Sequence, residues 1–105
     1  MPFANPLERE LHFIKHGHKF GATNAQEYER MADVFMFGPM DVDTKECIRP
    51  RKIDRVRFGF GTHYEGVACV VPEFVRTFYP VRAVIITRHG GEAEYFAYEC
   101  GRVNL

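Results

Sequence analysis

The sequence predicts an α+β domain, with two N-terminal helices packed on a mostly antiparallel sheet of four to five strands. Three observations carry this. Two helix starts of one type, Asn5-Pro6 with Glu8 and Asn24 with Glu27, precede apolar residues at helical spacing. From Arg55 onward the pattern changes to period two. Helices come first and strands after, the segregated order of an α+β fold. The 105 residues hold one domain, 1–105, with a modest core, and 46% hydrophobic residues make it a folding composition.

Asn5 serves as N-cap with Pro6 at the first helical position, and a helix is expected from about Pro6 to His16. Leu7, Leu11 and Ile14 form its apolar stripe. A turn over Phe20–Asn24 leads to a second helix from about Ala25 to Phe35, capped by Asn24 or, in a second register, by Thr23. Tyr28, Met31, Ala32 and Phe35 form its buried face. A loop follows over Phe37–Asp43; its Asp41 and Asp43 lack the other ligands of a calcium loop. Strands are expected over Arg55–Gly61, Gly66–Val71, Phe74–Tyr79 and Arg82–Thr87. A hairpin turn at Arg88–Gly91 then leads to a fifth strand over Glu92–Glu99.

Fourteen basic and fourteen acidic side chains balance, which argues against wholesale coating of a polyanion. The balance is not local. Arg49, Arg51, Lys52, Arg55 and Arg57 crowd into nine residues opposed by Asp54. Arg55 and Arg57 share a strand face, open either to phosphate or to solvent as a charged sheet edge. Thr77 is expected on one face with Val75 and Tyr79. Cys47, Cys69 and Cys100 are odd in number and far apart, so reduced thiols in a cytoplasmic setting are expected. No apolar run is long enough for a membrane span, and the N-terminus does not resemble a signal peptide.

The densest chemistry lies in His12-Phe13-Ile14-Lys15-His16-Gly17-His18-Lys19. Three imidazoles and two ammonium groups fall within eight residues. On a helix His12 and His16 share a face. Such a cluster can bind an anion or move protons; it can also be a solvated helix end where cations suit the dipole. As a zinc pair it lacks a third ligand and an intervening glutamate base, so no metal and no cofactor is expected.

Lys15-His16-Gly17-x-x-Phe20-Gly21, followed by Glu27-Tyr28-x-x-x-Ala32-x-x-Phe35, resembles the C-terminal ribonuclease domains of bacterial polymorphic and contact-dependent growth-inhibition toxins. Those domains continue with a basic strand, a glycine-containing hairpin and a strand of the form apolar-x-Thr-x-Phe/Tyr-x-Pro. Val75-Arg76-Thr77-Phe78-Tyr79-Pro80 is similar, with its proline slightly early. The resemblance covers Leu11 to Pro80. Pro72-Glu73 stands where the relatives carry a turn such as Asp-Gly, and Ala83–Leu105 has no counterpart.

The resemblance implies the microbial RNase-like fold shared by barnase, the tRNA-cutting colicins and the uridylate-specific endoribonucleases. It implies a metal-independent endoribonuclease, with tRNA among its candidate substrates, that leaves a 2′,3′-cyclic phosphate. His16 and His12 would be the catalytic imidazoles, with Arg57 or Lys15 holding the phosphate and Thr77 donating to it. Lys19 and Arg55 would add substrate contacts, and Tyr79 or Tyr98 would stack on a base or orient a histidine. The implied partners are RNA and a cognate immunity protein, with neither DNA nor membrane. The site of action would be the cytoplasm of a target cell. The rival reading is a non-catalytic RNA- or protein-binding domain that keeps the fold.

Overall fold

A computed structural model of the chain describes residues 2–50 and 53–102. Arg51 and Lys52 of the basic run lie outside the described residues. Helix α1 (Pro6–His16) leads through a 3₁₀ turn at Gly17–Phe20 to α2 (Ala25–Phe37). Four strands follow, β1 (Thr44–Ile48), β2 (Asp54–Gly59), β3 (Tyr64–Val70) and β4 (Glu73–Pro80). They form one antiparallel sheet in the order β1-β2-β3-β4. The chain then makes α3 (Ala83–Arg88) and α4 (Glu92–Gly101). The fold is the expected α+β class, with the two N-terminal helices on the sheet.

Both helix starts are built by local hydrogen bonds. The side chain of Asn5 accepts from the Glu8 amide at 2.9 Å, and that of Asn24 from the Glu27 amide at 2.8 Å. Each satisfies an amide that the first helical turn leaves without a partner. Thr23 contacts the Glu27 carboxylate instead of serving as the cap.

The face that α1 buries is not the expected one. Leu7, Leu11 and Ile14 are 66%, 51% and 73% exposed. The opposite side turns inward, where Phe13 packs against Tyr28 and His12 stacks on the buried Phe3. Aromatic rings carry more contact area than the leucines do, and their partners lie on that side.

The two sheet faces hold separate cores. On the N-terminal helix side Tyr28, Ala32 and Met36 of α2 meet Ala68, Val75 and Phe78. Buried Tyr28 donates its hydroxyl to the Phe78 carbonyl. Gly66 allows α2 to come this close: a Cβ there would lie 2.3 Å from the Met36 sulfur. On the other face Phe58 packs with Val81, Ile86 and Tyr95. A register shift between Val67 and Ala68 offsets β4, so Val75 and Phe78 enter the same core. Val75 thereby leaves the face expected for Thr77 and Tyr79. Beyond β4, Phe3 pairs in parallel with Val75 along the sheet edge.

Three further expectations are corrected. The stretches Arg82–Thr87 and Glu92–Glu99 are helical, not a strand hairpin. Glu92 and Glu94 occupy the first turn of α4, where acids suit the dipole, and Tyr95 and Glu99 repeat at helical spacing on its buried side. Gly90 and Gly91, at φ 96° and 123°, make the break between α3 and α4. Strand β1 has no counterpart in the sequence reading. Cys47 on β1 and Cys100 on α4 form a disulfide, while Cys69 is free. The expectation of three reduced thiols, and with it the ground for a cytoplasmic setting, falls away.

Arg55 and Arg57 face α2. The last carbonyls of a helix have no intrahelical partner. Arg57 donates to the carbonyls of Phe35 (3.0 Å) and Gly38 (2.7 Å), and to Glu46 at 2.8 Å. Arg55 donates to the Met36 carbonyl at 3.2 Å. The phosphate role expected for this pair gives way to closing the C-terminal end of α2. Arg57→Met should cost about 2 kcal/mol, because it strands the carbonyls of Phe35 and Gly38, while Glu46 keeps Arg55 at 3.0 Å. Urea unfolding measures this; a loss below about 0.5 kcal/mol would contradict it.

Candidate active site

Helix α1 packs against β4 and sets His12 and His16 one turn apart, their ring centroids 6.2 Å from each other. His16 lies nearly parallel to the Tyr79 ring of β4, at 5.4 Å and an interplanar angle of 29°. Its Nδ1 stands 3.4 Å from the Lys19 ammonium, which the 3₁₀ turn brings back under the helix end. An ammonium only donates, so this contact makes Nδ1 the acceptor and leaves the neutral ring's hydrogen on Nε2.

Burial first, and after it Lys19, His12, Lys15 and His18, together lower the pKa of His16 to about 4. The ring is therefore neutral at physiological pH. His12 is held below its ordinary value too, chiefly by burial. Glu8 opposes that shift, with a carboxylate oxygen 3.6 Å from Nε2. The Nδ1 of His12 is buried without a hydrogen-bond partner among the described residues.

Thr77 stands two residues before Tyr79 on β4, half-buried, opposite Val67. Lys15 and Lys19 are exposed. His12, His16, Lys19 and Tyr79 thus come together, with Lys15 close enough to act on both imidazoles. Arg55 and Arg57 are engaged at α2, and Tyr98 stands beside His89 on the C-terminal helices at 4.5 Å. Neither Tyr98 nor the arginines join the histidines.

One residue was missed. Glu65, just ahead of the strand expected over Gly66–Val71, lies on β3, is 1% exposed and accepts from the Tyr79 hydroxyl at 3.2 Å. A charged residue heading the apolar run Val67–Val70 was the available signal. Burial, and after it the neighbouring Glu99, raise the Glu65 carboxyl well above the usual carboxylate range. Burial likewise pushes the Tyr79 phenol up.

No family model matches the chain, and no curated protein matches it in sequence. The site is therefore judged by its chemistry. Among the described residues, no three His, Cys, Asp or Glu side chains converge as a metal-binding set. No described helix is long and apolar enough to cross a membrane. A larger groove of about 540 Å³ opens between α2 and the following loop, lined by Met31, Val34, Met40 and Tyr64. Its lining contains no histidine, whereas the cluster on α1 brings two shifted imidazoles and lysines together and is the better candidate for chemistry.

The shifted groups make stability depend on pH in two opposed ways. Between pH 6.5 and about 4 the unfolded chain takes up a proton that folded His16 refuses, so stability falls as pH drops through that range. Glu65 acts oppositely. Folded, it keeps a proton that the unfolded chain releases near 4.5, so stability falls as pH rises past that value. Above 6.5 the Glu65 slope stands without the His16 one. Thermal midpoints should decline from pH 6.5 to about 8, where folded Glu65 loses its proton, and Glu65→Gln should flatten that decline. A midpoint that rises with pH in this range would contradict it.

Proposed function

We propose that the protein is a metal-independent endoribonuclease that cuts RNA by transesterification. The observation that carries this reading is the pairing of a neutral, depressed His16 with a second imidazole and a lysine, against the Tyr79 ring of β4. A 2′-hydroxyl attacks its adjacent phosphate. His16 takes the proton at Nδ1 as the arriving phosphate draws the Lys19 ammonium away. Protonated His12 gives its proton to the departing 5′-oxygen, leaving a 2′,3′-cyclic phosphate and a 5′-hydroxyl. Lys15 and Lys19 offset charge on the phosphate, and Thr77 donates to it. Tyr79 supports the His16 ring. The 2′-hydroxyl requirement makes RNA, tRNA included, the substrate and excludes DNA.

The resemblance to growth-inhibition toxins adds that the enzyme acts in the cytoplasm of a target cell, and that a producing cell makes an immunity protein against it. The exposed Leu7, Leu11 and Ile14 favour a protein partner at α1, which is also how a binding domain without turnover would be built. Incubation with total RNA and tRNA in excess EDTA separates the two readings. Fragments ending in cyclic phosphate, with no cut where the 2′-hydroxyl at the scissile position is replaced by hydrogen, support the enzyme. RNA left intact over a wide range of protein concentration overturns it in favour of the binding domain.

A further inference from the structure

Glu65 is the most deeply buried acid adjoining the site, and RNA cleavage by the histidines does not use it. Its Oε2 accepts the Tyr79 hydroxyl, while its Oε1 is buried without a hydrogen-bond partner among the described residues. Tyr95 and Glu99 of α4 face it from the second core. Glu99 is itself clamped by Arg49, whose Nε donates to the Glu99 carbonyl at 2.8 Å and whose guanidinium lies 3.4 Å from the carboxylate. On its other side the Tyr79 ring covers His16. The groups facing His16 are Lys15, Lys19, His12 and His18 from its own helix and turn, and Tyr79 from β4. One phenol therefore joins the buried carboxyl of one core to the exposed edge where the histidines lie.

We propose that Glu65 is a positioning residue for His16, acting through Tyr79. A tyrosine ring at a sheet edge rotates about two bonds. The hydrogen bond to Glu65 fixes its far end and so holds the ring flat against the imidazole. That covering keeps water from one face of His16 and keeps the ring in its neutral, proton-accepting form. Tyr95 and Glu99 of α4 are the neighbours that act on Glu65, so the C-terminal helices, which the toxin-like resemblance does not cover, bear on the site. The consequence for cleavage rests on the ribonuclease reading. The consequence for the His16 ring does not.

The test uses the full chain with Glu65→Leu, Glu65→Gln and Tyr79→Phe, following the His16 imidazole by NMR titration and cleavage as a function of pH. Glu65→Leu and Tyr79→Phe should each raise the His16 midpoint by about one pH unit, since a loosened ring admits water. The double variant should shift it no further, because both changes remove the same bond. Glu65→Gln keeps an oxygen that accepts from the phenol, and should stay within about 0.3 unit of the parent. The acid limb of cleavage should move with the titration. An unmoved His16 midpoint in folded Glu65→Leu or Tyr79→Phe overturns the proposal, as does an equal shift in Glu65→Gln and Glu65→Leu. If Glu65→Leu does not fold, Tyr79→Phe and Glu65→Gln decide by the same criteria. If the parent cuts no RNA the ribonuclease reading fails, while the titration still decides the role of Glu65.

Discussion

His16→Ala is expected to lower RNA cleavage about a thousandfold while leaving the fold intact, since a positioned proton-transfer group contributes on the order of 10²–10⁴. The side chain is half-buried, touching Tyr79 and Lys19 rather than either core, so its removal should cost about 1 kcal/mol or less. Circular dichroism and urea unfolding verify the fold, and single-turnover cleavage in EDTA reads the loss. The pH profile gives the assignment its sign. A base must be unprotonated, and His16 stays so down to about 4, where an exposed imidazole would fail near 6.5. The acid limb should therefore lie near 4. His12 must carry a proton to act as acid, and its pKa is also lowered, so activity should fall as pH rises through a value below 6.5. The optimum then lies on the acid side of neutrality. Cleavage by His16→Ala within tenfold of the parent would sink the assignment, and an acid limb near 6.5 would remove His16 as the base.

What could be read from the sequence depended on how far apart the deciding partners lie. The caps at Asn5 and Asn24 are contacts between residues three apart, and both helices begin where those residues say. The histidine array was legible for the same reason, since His12, His16 and Lys19 are neighbours on one helix and its terminal turn. Periodicity shows that Leu7, Leu11 and Ile14 share a side of α1. It cannot show that Phe3 and Tyr28 wait on the other side. On β2 the alternation was real, but the arginine face meets the carbonyls ending α2 and the apolar face meets α3 and α4, so neither is free for RNA. The residues from Ala83 to Glu99 are rich enough in β-branched and aromatic side chains to read as strands. Packing of Ile86 and Tyr95 on Phe58 decides for helix, as tertiary contacts outweigh propensity. Tyr79 meeting both His16 and Glu65 depends on α1 running beside β4, which no local pattern encodes.

Replacing Cys47 and Cys100 together by alanine is expected to cost about 4 kcal/mol, the largest stability loss among these variants. The two cysteines are 53 positions apart, and closing a loop of that size in the unfolded chain removes entropy equivalent to about 4 kcal/mol at 25 °C. For a domain of this size the thermal midpoint should fall by roughly 15–25 °C. The bond has a particular place in the fold. Among the described residues strand β1 has β2 as its single strand partner, and α4 reaches the sheet through Tyr95 and Glu99. The disulfide joins these two peripheral elements, beside the parallel clamp of Arg49 on Glu99. Without it, α4 amides should exchange faster with solvent, while α2, packed over Phe78 and Ala68, should stay protected. Reductant should reproduce the double variant, and Cys69→Ala, which breaks no covalent link, should stay within about 1 kcal/mol of the parent. Equal midpoints for the oxidised parent and the double variant would mean that Arg49 and the second core hold α4 unaided.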